Sequence, residues 1–471
     1  MKSGLLTLLL AFLAVWNCRA QLPGNTPEPV RYEDGTIVDE AAAAALFEKD
    51  RFRVDTTVTG QGDTLLTCRH ESAFLRLQFD GLPADAGIDR ILLVPMKGEV
   101  QELGVTFPET GSPVVWLAKE PGALPAAAAV AEAPDGRLWS VRLPGIDLQA
   151  GTAYRRDLSF LTPEAPAVDL QATPLPATVL DVEPGEYSGI THISGNRYAV
   201  VDDGRKGGGI VFFVLPLDSY GQVGTARMLV AEGTNAATGK AQDGEGIAFV
   251  PSTGMLYVSN ERQEIREYDL AGRETGKALS IPEELGIKQI QGNRGFEALS
   301  YDETSGLFWT TTEAPLKNDG FLPRLHRLQS FTRDGEPAES RLYQTDEPML
   351  SAANTTAYVF GIPALAALDD GRLLVLEREV YVPQGGFWDK LQKSFTSVNL
   401  YLVDPVHDAA GILRKSLLCS FRTGALDLAN FEGMCLGPTL PDGQRSLVLI
   451  ADSEKGSGGL TQEYVKVILL Q

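Results

Sequence analysis

Two pairs of glutamates carry the first chemical signal in this sequence. Glu245 and Glu261 stand sixteen residues apart in EGIAFVPSTGMLYVSNE, and Glu297 and Glu313 stand sixteen apart again in EALSYDETSGLFWTTTE. Each phrase is a carboxylate, an apolar run, a turn, a second apolar run and a closing carboxylate. A hairpin brings its second strand back to the level where its first began, so the two acids of each phrase meet at one end. Carboxylates gathered in one place must take up protons, pair with arginine or lysine, or hold a cation. An all-oxygen ligand set suits a hard divalent ion, above all Ca²⁺.

Three looser copies open at Ser188 (SGITHISGNRYAVVDDG), Ala364 (ALAALDDGRLLVLERE) and Glu432 (EGMCLGPTLPDGQRSLVLIADSE). Self-similarity at tens of residues, filled by strands, points to a β-propeller, which collects one position from every repeat around a single axis. The same hairpin rule then adds Asp202, Asp243, Glu377, Glu432 and Asp452 to Glu245, Glu261, Glu297 and Glu313 as candidate metal ligands around one mouth. A plainer reading stays open: the acids cap turns and are neutralised by neighbours, for Arg262 follows Glu261 and Arg378 follows Glu377. Strand-like segments complete four blades, while the fifth runs out of chain one strand short. Residues 177–182 (ATVLDV) are expected to supply the missing strand and close the ring. Five blades are expected. The long connection 344–362 leaves room for the strands of a sixth.

The elements before the repeats read differently. Residues 51–160 contain short alternating runs such as FLRLQFDGL, IDRILLVPM and RLWSVRLPGIDL, divided by Gly, Pro and Asp turns, which predict a β-sandwich. The whole chain is therefore expected to be all-β: a signal peptide over 1–20, a sandwich domain over 21–160, a linker with the closing strand over 161–187, and a propeller over 188–471. Lys2, the apolar run Leu5–Trp16 and the small residue Ala20 give the first segment its secretory character. The expected location is periplasmic or cell-surface, after secretion across the inner membrane. Lipid anchoring at Cys18 is the lesser alternative, because Trp16 and Asn17 are bulky and polar where such sites favour small residues.

The net charge is -21, and losing Lys2 and Arg19 with the signal takes it to -23. A surface this acidic excludes nucleic acid as a natural partner and favours cations. The remaining cysteines, Cys68, Cys419 and Cys435, are odd in number and show neither metal-ligand spacing nor a disulfide framework. Cys419 and Cys435 fall on non-neighbouring strands and are expected to be free thiols. No nucleophile elbow, HExxH, Walker A or EF-hand pattern occurs, and four scattered histidines offer no ligand set. The helix candidate AAAAALFEKD (41–50) and the glycine loop GRKGGG (204–209) carry no catalytic expectation.

The series SGITHISGNRYAVVDDG, DGEGIAFVPSTGMLYVSNER, NRGFEALSYDETSGLFWTTTEAPLKNDG, LAALDDGRLLVLERE and NFEGMCLG resembles the phytase-like family, also called the esterase-like activity of phytase family, over about 185–471. The resemblance implies a secreted propeller hydrolase acting on phosphomonoesters or other esters. A more distant likeness to calcium-dependent β-propeller phytases implies ion-assisted attack by activated water, although their own motifs are absent. On that reading Glu297 and Glu313 are the catalytic candidates. Arg262, Arg294, Lys317, Arg324 and Arg378 are candidate substrate contacts, with neutralisation of adjacent glutamates the equal alternative. The substrate would be a small-molecule phosphate or carboxylic ester. The segment LPGIDLQAGTAYRRDLSF is similar to fimbrillin-like sandwich domains, which implies a spacer docking to another envelope protein or a glycan. The competing class is a non-catalytic propeller that serves as a binding or scaffold module in the bacterial cell envelope.

Overall fold

Alternation of apolar and polar residues builds the N-terminal strands. The computed structural model describes residues 30–38, 52–58, 64–162 apart from 84, 89, 97, 106, 109 and 110, then 164–165, 168–203, 209–230, 243–453 and 462–471. The first twenty residues, the 41–50 helix candidate and most of the glycine loop lie outside these. The chain divides into two compact units, residues 1–163 with 409–411, and residues 164–408 with 412–471.

In the first unit, Ala73–Asp80 lies between Thr152–Ser159, to which it runs parallel, and Val114–Lys119, to which it runs antiparallel. A second sheet has the order Leu138–Leu143, Ala127–Glu132, Arg90–Pro95, Gln101–Leu103. Leu75, Leu77 and Phe79 from the first sheet and Ile91, Leu93, Ala129 and Ala131 from the second belong to one buried core. The period-2 pattern explains this, since alternate residues of a strand share a face.

The second unit is built from five antiparallel sheets among the described residues, four of them simple four-stranded meanders in chain order. Their first strands are Tyr187–Ser194, Gly244–Val250, Phe296–Asp302, Thr355–Ala367 and Asn430–Thr439. These first strands neighbour one another in sequence order, and the fifth returns to lie against the first. Glycine makes the approach possible. A Cβ on Gly246 would stand 2.5 Å from the backbone nitrogen of Leu299 and 2.6 Å from the carbonyl oxygen of Glu297 in the next sheet.

The fifth sheet is closed by chain from its far side, though not quite where the sequence suggested. Two short pieces, Ala172–Pro174 and Thr178–Val179, pair with the C-terminal strand Tyr464–Leu470. The closing segment thus begins about five residues before the expected 177–182, and it is split because Pro174 and Pro176 cannot donate to a ladder. The proline content that reads as linker also interrupts a strand. From Thr355 onward the 344–362 connection prolongs the first strand of the fourth sheet, and the described residues there form no additional sheet. Cys419, on the last strand of the fourth sheet, and Cys435, on the first strand of the fifth, are free thiols. The side chain of Cys68 lies outside the described residues.

Candidate metal centre

All five first strands are irregular at the same level. The register shifts between Tyr187 and Ile190, Gly244 and Ile247, Phe296 and Ala298, Gly361 and Ala364, and Phe431 and Gly433. A bulge re-aims a side chain that regular pleating would send elsewhere. Three of the five hold a glutamate: Glu245, Glu297 and Glu432. The second strands end at the same rim, where the backbone N–H groups of Asp203, Glu261 and Glu313 donate to the carbonyls of Glu186, Asp243 and Gly295. Acids from three sheets are thereby set against acids from their neighbours.

The mouth has two chemically different halves. In one, Arg378 is almost wholly buried and donates from Nη2 to Glu313 Oε1 at 2.5 Å and from Nη1 to Glu432 Oε1 at 2.8 Å. The same Nη1 reaches Asn430 Oδ1 at 2.7 Å, and Asn430 Nδ2 donates to Glu432 Oε1 at 2.7 Å. Arg294 Nε lies 3.7 Å from the other oxygen of Glu313. In the other half, Glu245, Glu261 and Glu297 bring carboxylate oxygens within 4.8 Å of one another. Among the described residues no hydrogen-bond donor or base pairs with these three carboxylates.

The bare half is electrostatically costly. Burial, followed by the charges of Glu297 and Glu432, raises the Glu245 carboxyl well above the usual carboxylate range. Burial and then Glu313 and Glu432 do the same to Glu297, against the pull of Arg378. Glu261 is raised to about 7, mainly by burial and next by Asp243. Glu432 is also raised by burial, with Arg378 opposing. A second acidic group comprises Glu186, Asp202 and Asp203, and the charge of Asp203 is felt at Glu245. Asp203 is lifted to about 8 by burial, its hydrogen bond to Glu186 and the charges of Glu186 and Glu432.

Several expected members are elsewhere. Glu377 does not face the acids: it is buried, accepts from Tyr343 Oη and Lys415 Nζ at 2.6 Å each, and takes the backbone N–H of Asp346 at 3.0 Å. Strand alternation explains the correction, because Glu377 and Glu379 share one face and Arg378 takes the other. Arg378, expected as a phosphate contact, spends both Nη atoms on carboxylates and Asn430. Asp243 pairs loosely with exposed Arg262 at 3.6 Å. Arg324 donates to the Thr345 carbonyl and pairs with Glu347, and Lys317 donates to the Lys288 carbonyl. Asp452 is half-buried beside Asn430 in the ladder, and Asp202 accepts from the Glu186 N–H at 3.3 Å.

The sequence reading missed Glu186 and the clamp made by Arg378 and Asn430. Glu186 stands in the first sheet where Asp243 stands in the second, so aligning the copies from their bulges would have found it. The clamp joins residues 52 to 65 positions apart and left no local signal.

The phytase-like family, described as esterase-like activity of phytase, matches residues 183–454, and the chain belongs to it. No curated protein matches the chain. Among solved structures, a member of the DUF4221 family from Bacteroides vulgatus is 9% identical, with 64% of this chain and 98% of that one covered at a TM-score of 0.33. That likeness is too slight to bear on the site.

Proposed function

We propose that the second unit is a five-bladed β-propeller hydrolase whose acidic mouth binds Ca²⁺ and cleaves phosphomonoesters or related esters by attack of water. The closed order of five first strands supports the blade count, and two sheets sharing one core support an N-terminal sandwich. The observation that carries the functional reading is the trio Glu245, Glu261 and Glu297, whose oxygens converge without a donor. Oxygens within 4.8 Å of one another fit a common ion at the about 2.3–2.6 Å typical of Ca²⁺. The donor set is hard and all-oxygen, as that ion requires.

These three glutamates would hold the cation. When bound it supplies Lewis acidity, neutralising the trio and lowering the pKa of nearby water. Arg378 meanwhile keeps Glu313 and Glu432 from adding two uncompensated charges to the mouth. Glu313 serves on this reading as a positioning residue: fixed through Oε1, it faces Arg294 with Oε2. The Arg294 side chain is 41% exposed, and its planar guanidinium suits an anionic substrate oxygen. Asp203, raised to about 8 in the ion-free protein by burial and Glu186, is the carboxyl at this rim suited to protonating a departing alkoxide oxygen. Secretion to the periplasm or cell surface, with the N-terminal unit as a docking module, completes the proposal.

A scaffold role is favoured by one observation, the Arg378 clamp that already ties Glu313, Glu432 and Asn430 together. The assay that separates the readings uses the full chain against phosphomonoesters and carboxylic esters, with Ca²⁺ and then with chelator. The hydrolase reading expects turnover that chelation abolishes and that Glu297→Gln lowers by about 10² or more. Equal background rates with and without Ca²⁺ would leave the scaffold reading standing.

A further inference from the structure

The fourth sheet differs from the others at the rim of the mouth. Its second strand, Leu373–Pro383, has 11 residues, against 6 for Met255–Asn260 and 6 for Leu307–Thr312. It continues past Arg378 for five residues, about 16 Å at ~3.3 Å per residue. The connection to its third strand carries the helix Phe387–Lys393, whereas the second strands of the second and third sheets end beside Glu261 and Glu313. The extension therefore begins at the rim where Arg378 meets Glu313 and Glu432.

The extension is apolar on a defined face. The ladder pairs Gly361 with Arg378, then Val359 with Val380, then Ala357 with Val382. These are alternate positions, so the valines continue the face on which Arg378 meets Glu313 and Glu432. Together with Leu391 from the helix and Leu428 they line a groove of about 380 Å³. Asn430 and Asp452 also line it. Asn430 is the residue that bonds Arg378 and Glu432, so one side chain belongs to both the groove and the mouth. A groove of this size matches small-molecule sites, which are mostly apolar with a few placed polar groups.

We propose that this groove seats the apolar alcohol portion of the substrate, an alkyl chain or aryl ring, while a single phosphoester group lies at the mouth. The inference rests on the hydrolase reading and names its substrate class: monophosphate esters of hydrophobic alcohols rather than polyphosphorylated polyols. In the reaction water attacks phosphorus, the P–O bond to the alcohol breaks, and the alcohol leaves with a proton as inorganic phosphate forms. Charge supports the choice. A chain of net charge -21 offers little to a polyanion, whereas one anionic head and an apolar tail fit the cation-binding trio and the valine face.

The test is titration calorimetry of the full chain, in Ca²⁺, with n-alkylphosphonates from ethyl to decyl below their micellar concentrations. These resist hydrolysis, so binding is read apart from turnover. Affinity is expected to rise about three- to fourfold per added methylene until the groove is filled. Leu391→Ser and Val359→Ser, tested separately in case one disturbs folding, should flatten that slope. A flat slope in the unmodified protein, or a slope that neither substitution changes, overturns the proposal. A slope that both substitutions flatten, in a protein that hydrolyses no alkyl phosphate, keeps the groove assignment and removes the hydrolase reading beneath it.

Discussion

The two halves of the acidic mouth descend from the same repeat yet have opposite electrostatic fates. Glu313 and Glu432 share one buried guanidinium with good geometry, and Asn430 completes the set. Glu245, Glu261 and Glu297 occupy comparable positions on neighbouring sheets and have no base among the described residues. The difference comes from the fourth sheet, where an arginine stands at the rim. One half is finished by the protein. The other is left to protons or a cation, and a site that must exchange a ligand needs such incompleteness.

The largest expected effect comes from breaking the finished half. Arg378→Met keeps much of the side-chain volume but leaves Glu313 and Glu432 without their shared charge. Removing one partner of a buried ionic set typically costs about 3–5 kcal/mol, because the remaining charges are stranded. Urea unfolding at pH 7 should show a loss of that order. A change under about 1 kcal/mol would mean that the clamp is not the structural element described.

A smaller effect should come from filling the bare half. Glu261 and Asp203 have folded-state values near 7 and 8, above their ordinary 4.5 and 3.8. Groups raised in this way contribute stability that is fully present below their unfolded values and lost as pH rises through the folded ones. Without divalent ions, the melting temperature should therefore fall between about pH 5 and 8. Ca²⁺ should reverse this, more strongly at pH 8 than at pH 5, where protons compete. At a free concentration one hundred times the dissociation constant the gain would be about 2.7 kcal/mol. Melting curves indifferent to Ca²⁺ across that range would argue that protons alone satisfy the trio.

The contrast also shows what could be read from the chain. Strand alternation and sixteen-residue spacing announced the all-β repeats and placed Glu245, Glu261, Glu297 and Glu313 at one rim, because both are local consequences of hairpin geometry. Glu377 was misplaced because a one-residue difference in register reverses the face of a strand, and the Arg378 position cannot be told from its neighbours by composition. The Pro-rich segment before residue 187 hid two short strands whose partner, Tyr464–Leu470, lies almost three hundred residues away. Long-range pairing leaves no local pattern. The apolar extension of the fourth sheet was visible only as excess loop length.

The most discriminating of the small effects is at Glu297, which belongs to the bare trio and also feels Glu313 and Arg378 across the mouth. Glu297→Gln retains the shape and one carbonyl oxygen but removes a charge from a site already too acidic. Without divalent ions at pH 8 the variant should be more stable than the parent, by something on the order of 1–2 kcal/mol, because repulsion with Glu245 and Glu261 is relieved. With Ca²⁺ the order should invert, since the variant has lost a ligand and gains less from the ion. The crossing of the two stabilities is the diagnostic. A substitution that destabilises equally with and without Ca²⁺ has only disturbed packing at the bulge, and the two halves of the mouth would then differ in geometry but not in ligand.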